Sequence, residues 1–247
     1  MEFNNIENNS NYISRLTLMH NKNYYIDNLY LISLRMIKDI YKGEVSSIMF
    51  CDINGLKLVN DSSGHLEGDK IIRRIANIIR NCVKKGNNLS DNITNPTSQE
   101  SDKRKNEVIH LGGDEFLVVL PKCNKEKARA IKENIYNIID EKIEFFDGAS
   151  LSIGIADTTD IELPKNIDIS NIEEVVEYAH AIIKLADKNM YKEKNDLTRL
   201  SPDELTKFRL KSINRLGEQI GLKFTQEELE LILNLIEDIE RKRNRIR

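Results

Sequence analysis

The sequence predicts an α/β domain, in which strands and helices alternate, followed by an appendage that contains only helices. From residue 21 to about residue 195, short apolar runs of strand length alternate with longer segments whose apolar residues recur at helical spacing. After Leu200 the strand-like runs stop and only helical spacing continues. A chain of 247 residues is long enough for one medium domain and a smaller appendage.

A helix, a strand and a second helix are predicted in the first part of the chain. Residues 21–42 predict a helix because their apolar residues form one stripe, and the apolar run 45–53 predicts a buried strand. Residues 68–85 predict a second helix with a strong apolar stripe. The next segment, 86–106, is rich in Asn, Ser, Asp and Lys and has almost no apolar residues. We therefore expect a long, mobile polar loop there, although loops of that length are uncommon inside compact domains.

A β-hairpin is predicted after the polar segment. The strand-like runs 108–111 and 116–121 are joined by Gly112-Gly113-Asp114-Glu115, which suits a tight turn. The same patterns then predict a helix at 125–143, a strand at 149–156 and a helix at 173–194.

The C-terminal part predicts two helices. Pro202 follows Ser201 at a helix start, and Gly221 ends that helix. Thr225 and Glu228 form a capping box that opens the second helix. The expected organisation is a flexible N-terminus at 1–11, an α/β domain at 12–199 with its polar loop at 86–106, and a C-terminal helical hairpin at 200–247.

Composition and charge exclude several classes of function. The formal net charge is −3, which does not indicate a nucleic-acid-binding protein, and the basic tail 241–247 is interpreted as a solvated helix end. The apolar runs are too short to span a bilayer, and residues 1–11 show no secretory signal. The three cysteines have no metal-ligand spacing, which is typical of reduced thiols in a cytosol. We therefore expect a cytoplasmic protein without nucleic-acid or membrane partners.

Two acidic sites carry the candidate chemistry. Asp52 lies at the end of a predicted buried strand, and Asp114 and Glu115 lie at the tip of the predicted hairpin. If the two strands are neighbours, Asp52 and Asp114 converge into a carboxylate cluster whose oxygens suit Mg²⁺. Gly112 and Gly113 would let a substrate phosphate approach the backbone of the turn. The alternative is that Asp114 and Glu115 are ordinary turn residues and that Asp52 caps its strand.

Four ordered sequence blocks resemble the GGDEF family. Residues 112–116 read Gly-Gly-Asp-Glu-Phe, the signature of that family, and lie at a predicted hairpin as the family requires. Upstream, residues 52–69 are similar to the family pattern D-x-D-x-F-K-x-x-N-D followed by x-x-G-H-x-x-G-D. Downstream, residues 151–156 are similar to its S-x-G strand, and residues 186–194 to its A-D-x-x-x-Y-x-x-K helix. The resemblance covers residues 12 to about 195, and several blocks in order are far more specific than one pentapeptide.

The resemblance implies metal-binding and catalytic roles at the two acidic sites. Asp52 and Asp114 would bind Mg²⁺ or Mn²⁺ with the help of the backbone carbonyl of Ile53. Asp114 or Glu115 would help to deprotonate the 3′-hydroxyl of GTP.

The resemblance also implies substrate-binding roles for four polar side chains. Asn60 and Asp69 would read the guanine edge, because a carboxylate accepts from the N1–H and N2–H groups while an amide donates and accepts. Lys57 and Lys194 would contact the triphosphate as point charges. Since the second guanine-reading position is Asp69, GTP is favoured over ATP. The alternatives are that Asn60 and Asp69 cap helices and that Lys194 is a solvated helix-end lysine.

The implied protein is a diguanylate cyclase with a palm-like α+β domain, whose central, mostly antiparallel sheet is flanked by helices. It would condense two GTP molecules into cyclic di-GMP and pyrophosphate by attack of a 3′-hydroxyl on an α-phosphate. Because two domains that each hold one GTP must meet, the resemblance implies a homodimer, and residues 201–247 could serve dimerisation or a protein partner. Two alternatives stay open: an inactive GGDEF domain that binds GTP or a partner, and an enzyme that makes another cyclic nucleotide.

The sequence departs from the family pattern at several positions. In the opening motif D-x-L-T-G-L-x-N-R, Ser14 replaces the Asp and Leu18 replaces the Gly. His110 lies where the family usually has Arg, two residues before the glycine pair. Thr198 lies where a second Arg usually follows the helix lysine, and Arg199 is one position later.

The inhibitory R-x-x-D motif of the family is also altered. Its two positions fall on Lys103 and Asn106. Lysine cannot make the paired contacts of a guanidinium, and asparagine lacks the carboxylate charge. We therefore expect no inhibitory cyclic di-GMP site of the usual kind.

Overall fold

The structure, a computed structural model, describes residues 11–91, 106–142, 149–165, 167–197, 222–232 and 234–235. The chain divides into two compact units, Met1–Lys194 and Asn195–Arg247. In chain order the elements are β1 (His20–Asn21), α1 (Lys22–Tyr41), β2 (Ser47–Asn54), α2 (Leu56–Ser63), α3 (His65–Asp91), β3 (Glu107–Gly112), β4 (Glu115–Leu120), α4 (Lys125–Glu141), β5 (Ser150–Asp157) and α5 (Ile172–Leu197).

The five strands form one sheet in the order β1-β3-β4-β2-β5. The short β1 pairs with β3 in parallel, and the other neighbours pair antiparallel. The sheet is therefore mostly antiparallel and the domain belongs to the α+β class, as predicted. The predicted hairpin is confirmed: β3 and β4 pair antiparallel on either side of the turn, with a register shift between His110 and Gly112.

Helices cover both faces of the sheet because the side chains of each strand alternate between two cores. From β2, Met49, Cys51 and Ile53 enter a core that also contains apolar residues of α2, α3 and α4. Ile48 and Phe50 point to the other face and enter a core formed with α1 and α5. This alternation sends Asp52 to the α1–α5 face of β2.

Two helix assignments from the sequence need correction. The sequence did not predict α2, which has only eight residues and buries only Leu56 and Val59, too few to show a helical period. Helix α3 begins at His65 and continues to Asp91, so the first residues of the predicted polar loop are helical. A formed helix gains one hydrogen bond for each added residue, which lets it run into a polar segment that has no apolar stripe.

The remainder of the predicted polar loop, residues 92–105, lies outside the described residues, and so does the N-terminus up to residue 10.

Beyond the last residues of α5, the second unit is described only near its second predicted helix. Residues 226–232 and 234–235 are helical. The capping box is confirmed: the backbone N–H of Thr225 donates to Glu228 Oε2 at 2.8 Å, and the backbone N–H of Glu228 donates to Thr225 Oγ1 at 3.3 Å. The helix predicted to start at Ser201 lies outside the described residues. Among the helices that are described, none combines the length and apolar character needed to cross a membrane.

The opening turn, residues 14–19, is closed by two backbone hydrogen bonds. The N–H of Ser14 donates to the carbonyl of Met19 at 2.8 Å, and the N–H of Leu18 donates to the carbonyl of Ser14 at 2.9 Å. Leu18 has a φ of 57°, in the left-handed region, and its side chain is 71% exposed. The turn thus keeps the backbone conformation that suits the glycine of the family motif, although this chain carries leucine there.

Leu18→Gly is expected to raise the free energy of unfolding by about 1 kcal/mol. The left-handed conformation costs a residue with a Cβ atom about 1–2 kcal/mol, and part of that gain is offset by the greater freedom of glycine in the unfolded chain. Little burial is lost because the side chain is already exposed. Urea denaturation measures the change. Leu31→Gly, in the middle of α1, is the control and should destabilise by about 1 kcal/mol or more; a loss of stability in both variants would contradict the expectation.

Candidate active site

The two acidic segments meet where β2 lies beside β4. Asp52 pairs with Glu115 across the two strands. The backbone N–H of Ile53 donates to the carbonyl oxygen of Asp114 at 3.0 Å. The expectation that the strand of Asp52 neighbours the hairpin strand that follows Asp114 is therefore confirmed, and the strand register brings three acidic residues to the same end of β2 and β4.

The signature turn between the strands depends on its glycines. Gly112 has a φ of 137° and Gly113 a φ of 57°, values that residues with a Cβ atom rarely adopt. No atom lies within 4 Å of where a Cβ would stand on either residue. The space beside the turn is open, which leaves room for a group such as a phosphate to approach the backbone.

Burial and neighbouring negative charges raise the pKa of two carboxylates of the site, Asp52 and Glu115. Burial, first of all, raises the pKa of Asp52, and the negative charges of Asp114 and Asp187 add to this, while the Lys194 ammonium opposes it. Partial burial and the charges of Asp114, Asp52 and Asp187 likewise raise the pKa of Glu115. The site is therefore a region of negative potential that favours a bound cation.

Lys194 reaches this region from the end of α5. Its Nζ lies 2.5 Å from Asp52 Oδ1, an ion pair between residues far apart in the sequence. The predicted contact of Lys194 with a triphosphate stays a prediction. The ion pair shows instead that a cation is accommodated at the Asp52 carboxylate.

The residues present fit a magnesium site that is completed by substrate. No three carboxylate, imidazole or thiolate groups of the described residues lie close enough together to form a metal cluster on their own. Mg²⁺ typically takes only one or two carboxylates from the protein and completes its shell with water and phosphate oxygens. Asp52 on β2 and Asp114 in the adjacent turn, each in a negative field, match that requirement.

The two predicted guanine-reading residues lie on consecutive helices, Asn60 on α2 and Asp69 on α3. A Cβ atom on Gly68 would stand 2.0 Å from Asn60 Oδ1 and 3.0 Å from Asn60 Cγ. The side-chain oxygen of Asn60 therefore lies directly over Gly68, the residue that precedes Asp69 in α3. Both Asn60 and Asp69 lie inside helices, so the alternative that they cap helices is wrong. Lys57 is exposed on α2, the helix that carries Asn60.

If the chain binds GTP as its sequence predicts, Gly68→Ala is expected to weaken that binding about tenfold while the protein stays folded. The new methyl group would collide with the tip of the Asn60 side chain, which can rotate away but then leaves its place over α3. Loss of one hydrogen-bonding partner costs about 1–2 kcal/mol, or about a factor of ten. Calorimetric titration with GTP measures the effect.

Asn60→Ala provides the matched control for that measurement. It should weaken GTP binding at least as much, and the double variant should be no weaker than Asn60→Ala alone. Unchanged affinity in Gly68→Ala would contradict the assigned role of Asn60.

Glu193 holds the end of α5 against the sheet and was not found from the sequence. Glu193 Oε2 accepts from Lys132 Nζ at 2.8 Å and from the backbone N–H of Ile153 at 3.1 Å, and Oε1 accepts from the Tyr136 hydroxyl at 3.0 Å. These contacts hold α5 in place at Glu193, one residue before Lys194. Nothing in the local sequence indicates them, because the partners lie on α4 and β5.

The roles of four further positions stay untested. Asn106 is described, and its Nδ2 donates to the carbonyl of Val83 at 3.1 Å. Lys103 lies outside the described residues, as do Thr198 and Arg199. The expectation of a missing inhibitory site therefore stays a prediction.

One protein family matches most of the chain, and relatives with similar sequences are known. The family described as "Diguanylate cyclase, GGDEF domain" matches residues 12–91 and 97–199. Diguanylate cyclase A of Treponema denticola is 27% identical over 155 residues, which cover 63% of this chain and 34% of that protein. The probable diguanylate cyclase DgcT of Escherichia coli is 29% identical over 184 residues, which cover 72% of this chain and 32% of that protein. The chain thus spans about a third of the length of these relatives.

Solved structures share the fold at lower identity. The coiled coil and GGDEF domain of DgcB from Caulobacter crescentus, in complex with c-di-GMP, aligns with a TM-score of 0.55 and 17% identity, covering 79% of this chain and 86% of that chain. The GGDEF domain of PA1120 (TpbB or YfiN) from Pseudomonas aeruginosa aligns with a TM-score of 0.51 and 24% identity, covering 74% of this chain and 89% of that chain. At these identities the likeness supports the fold alone.

Proposed function

This chain belongs to the GGDEF domain family of diguanylate cyclases, and we propose on that basis that it condenses two GTP molecules into cyclic di-GMP and pyrophosphate. The observation that carries the proposal is the position of Asp52, Asp114 and Glu115 at the same end of β2 and β4, beside an open glycine turn. The pairing of Asn60 with the Gly68–Asp69 segment supports guanine as the base.

The carboxylates would hold the metal and take up a proton. Asp52 and Asp114, with the carbonyl of Ile53, would hold Mg²⁺ or Mn²⁺, which supplies positive charge for the triphosphate. The 3′-oxygen of one GTP attacks the α-phosphorus of the other, and the bond to the leaving pyrophosphate breaks. Glu115 or Asp114 accepts the proton of the 3′-hydroxyl.

Base recognition would exclude ATP. The carboxylate of Asp69 can accept from the N1–H and N2–H groups of guanine, and the amide of Asn60 can both donate and accept. Adenine has an acceptor at N1 and no 2-amino group, so it would place an acceptor against the Asp69 carboxylate. A partly buried polar group that is left without its hydrogen-bond partner costs enough binding free energy for the site to discriminate against ATP.

The reaction would need two copies of the domain. Each copy holds one GTP, and the two 3′-hydroxyls must each reach the α-phosphate of the other nucleotide. A homodimer is therefore part of the proposal, with residues 201–247 as one candidate segment for dimerisation or for a protein partner. Specific activity that rises with protein concentration is the expected sign.

A second candidate function is a GGDEF domain that binds GTP or a partner without making product. The ion pair between Lys194 and Asp52 favours it, because the carboxylate already has a cationic partner within the protein. A metal bound by that oxygen would have to displace Lys194. The displaced lysine would then be available for its predicted contact with the triphosphate.

Incubation of the purified chain with Mg²⁺ and GTP, over a range of protein concentrations and with products resolved by chromatography, tests the proposal. Cyclic di-GMP supports it. Bound GTP without product at every concentration supports the second candidate instead. Parallel reactions with ATP, and with ATP and GTP together, show whether another cyclic nucleotide is made.

A further inference from the structure

His110 connects the opening turn with the signature turn. Its ring is buried, with 7% of its surface exposed, and stacks on Phe116 with ring centroids 4.9 Å apart. On one side, Nδ1 lies 3.0 Å from Ser14 Oγ and 3.4 Å from Thr17 Oγ1. On the other side, Nε2 lies 3.2 Å from the carbonyl oxygen of Gly113. Both ring nitrogens therefore have a polar neighbour, one on each turn.

The partners of the ring determine where its proton lies. The Gly113 carbonyl can only accept, so Nε2 must carry the hydrogen and Nδ1 must be the acceptor in the neutral ring. Ser14 Oγ can then donate to Nδ1 while it accepts from the backbone N–H of Thr17, which lies 3.3 Å away. Donors and acceptors match along the whole path from Thr17 to Gly113.

The surroundings of the ring favour this neutral form. Ser14, Thr17, Gly113 and Phe116, the groups that contact it, are all uncharged. Burial lowers the pKa of His110, and the Gly113 carbonyl opposes this only in part. A protonated ring would have a donor at Nδ1 and no anionic partner among these groups.

Two residues of this path are also departures from the family pattern. Ser14 replaces the Asp of the opening motif, and His110 replaces the Arg before the glycine pair. The sequence alone presents them as separate losses. The structure places the two side chains in contact although they are 96 residues apart.

Two hydrogen bonds reach the signature turn, residues 112–115, from His110 and Ile53. Gly112 and Gly113 have no side chains and open space beside them. Two hydrogen bonds hold consecutive carbonyls of the turn: His110 Nε2 binds that of Gly113, and the backbone N–H of Ile53 binds that of Asp114. Any change at His110 therefore acts on the residue directly before Asp114.

We propose that Ser14, His110 and Gly113 form a neutral hydrogen-bonded link that holds the signature turn against the opening turn, with His110 as a positioning residue for Asp114 and Glu115. The link deepens the proposed cyclase function and rests on it for its kinetic consequence. In the family pattern these two positions carry an Asp and an Arg, which are charged. In this chain the neutral side chains of Ser14 and His110 take both positions, so the two departures act as one change.

Substitution of His110 by two different amides separates the two halves of the link. A glutamine amide can place an N–H group near the position of Nε2 and keep the Gly113 contact, whereas an asparagine amide reaches only the position of Nδ1. His110→Gln should keep kcat within about threefold of the original, and His110→Asn should lower it at least about tenfold, since misplacing reacting groups by a fraction of an ångström to one ångström is costly. KM for GTP should stay unchanged in both, because Asn60 and Asp69 lie on other elements. Equal kcat values in the two variants, or a change confined to KM, would overturn the proposal.

Exchange of both positions tests whether they act as a unit. Ser14→Asp alone places a carboxylate against an acceptor nitrogen, and His110→Arg alone buries a cation without an anion. The double variant restores a matched pair. Its kcat should exceed that of His110→Arg at least about tenfold, and effects that simply multiply would contradict the link.

The state of the ring can be read without any turnover. Nitrogen-15 NMR of the histidine rings in the full chain, with the His110 signals assigned by their loss in His110→Gln, should show a neutral ring protonated at Nε2 that stays neutral well below pH 6.5. An Nδ1-protonated ring, or titration at the ordinary histidine pKa of about 6.5, would overturn the proposal. Because this readout needs no product, a failed cyclase reaction and a failed link give different results.

Discussion

Asp114→Asn should lower the rate of cyclic di-GMP formation by about a thousandfold or more. The substitution removes one negative charge from the proposed metal site, and each 1.4 kcal/mol of lost transition-state stabilisation is a factor of ten, so the several kcal/mol supplied by a metal amount to that range. The backbone is expected to be unaffected, because the bond between Ile53 N–H and the carbonyl of residue 114 does not involve the side chain. Chromatographic measurement of product formed from GTP gives the rate.

Asp140→Asn is the matched control for this loss. Asp140 is exposed on α4, a helix that packs on the other face of the sheet from Asp52. The same chemical change there should leave the rate within about twofold. GTP binding by Asp114→Asn should persist, since Asn60 and Asp69 are untouched. A variant that keeps a substantial fraction of the original rate would remove Asp114 from the proposed mechanism.

Gly154→Ala should destabilise the fold by about 3 kcal/mol or more. A Cβ atom on Gly154 would stand 2.0 Å from the carbonyl oxygen of Ala186 and 2.1 Å from the backbone nitrogen of Met190. Both atoms belong to the backbone of α5, so the helix as a whole would have to move away from β5. Overpacking of a well-packed core typically costs about 1–3 kcal/mol, and a backbone collision on this scale belongs at or above the upper end.

Urea denaturation of Gly154→Ala, measured beside Gly68→Ala, tests the origin of that cost. Both variants add one methyl group at a buried glycine, but the second collides with a side-chain tip that can rotate. Gly68→Ala should therefore lose much less stability. Similar losses in the two variants would mean that the added methyl group as such, and not the contact with α5, causes the effect. A displaced α5 would also carry Lys194 away from Asp52, so GTP turnover should fall in any Gly154→Ala protein that still folds.

Much of the architecture could be predicted from periodicity and turn chemistry. Apolar stripes predicted α1, α3, α4 and α5, and the glycine pair before Asp114 predicted the β3–β4 hairpin. The eight-residue α2 was missed because two buried residues cannot show a period. The polar continuation of α3 was missed for a related reason, since a helix that has already formed extends without needing an apolar face.

The residues of the candidate site could be selected from the sequence because their chemistry is carried by local patterns. Asp52 follows an apolar run, Asp114 and Glu115 follow two glycines, and Asn60 and Asp69 lie in a recognisable block. Only the tertiary structure decided which of them meet and what else joins them. The register of β2 against β4 places Asp52 opposite Glu115, and a shift by one residue would send Asp52 to the other face.

The contacts that join the rest of the site connect residues far apart in the chain. Lys194 meets Asp52 across 142 residues, and His110 meets Ser14 across 96. Local propensity and spacing act over one turn or one strand and carry no information at such separations. The packing of α5 on the sheet, which Gly154 makes possible, brings Lys194 to Asp52. The closure of the opening turn beside β3 brings Ser14 to His110. Both contacts depend on how whole elements dock and not on the residues that are neighbours in sequence.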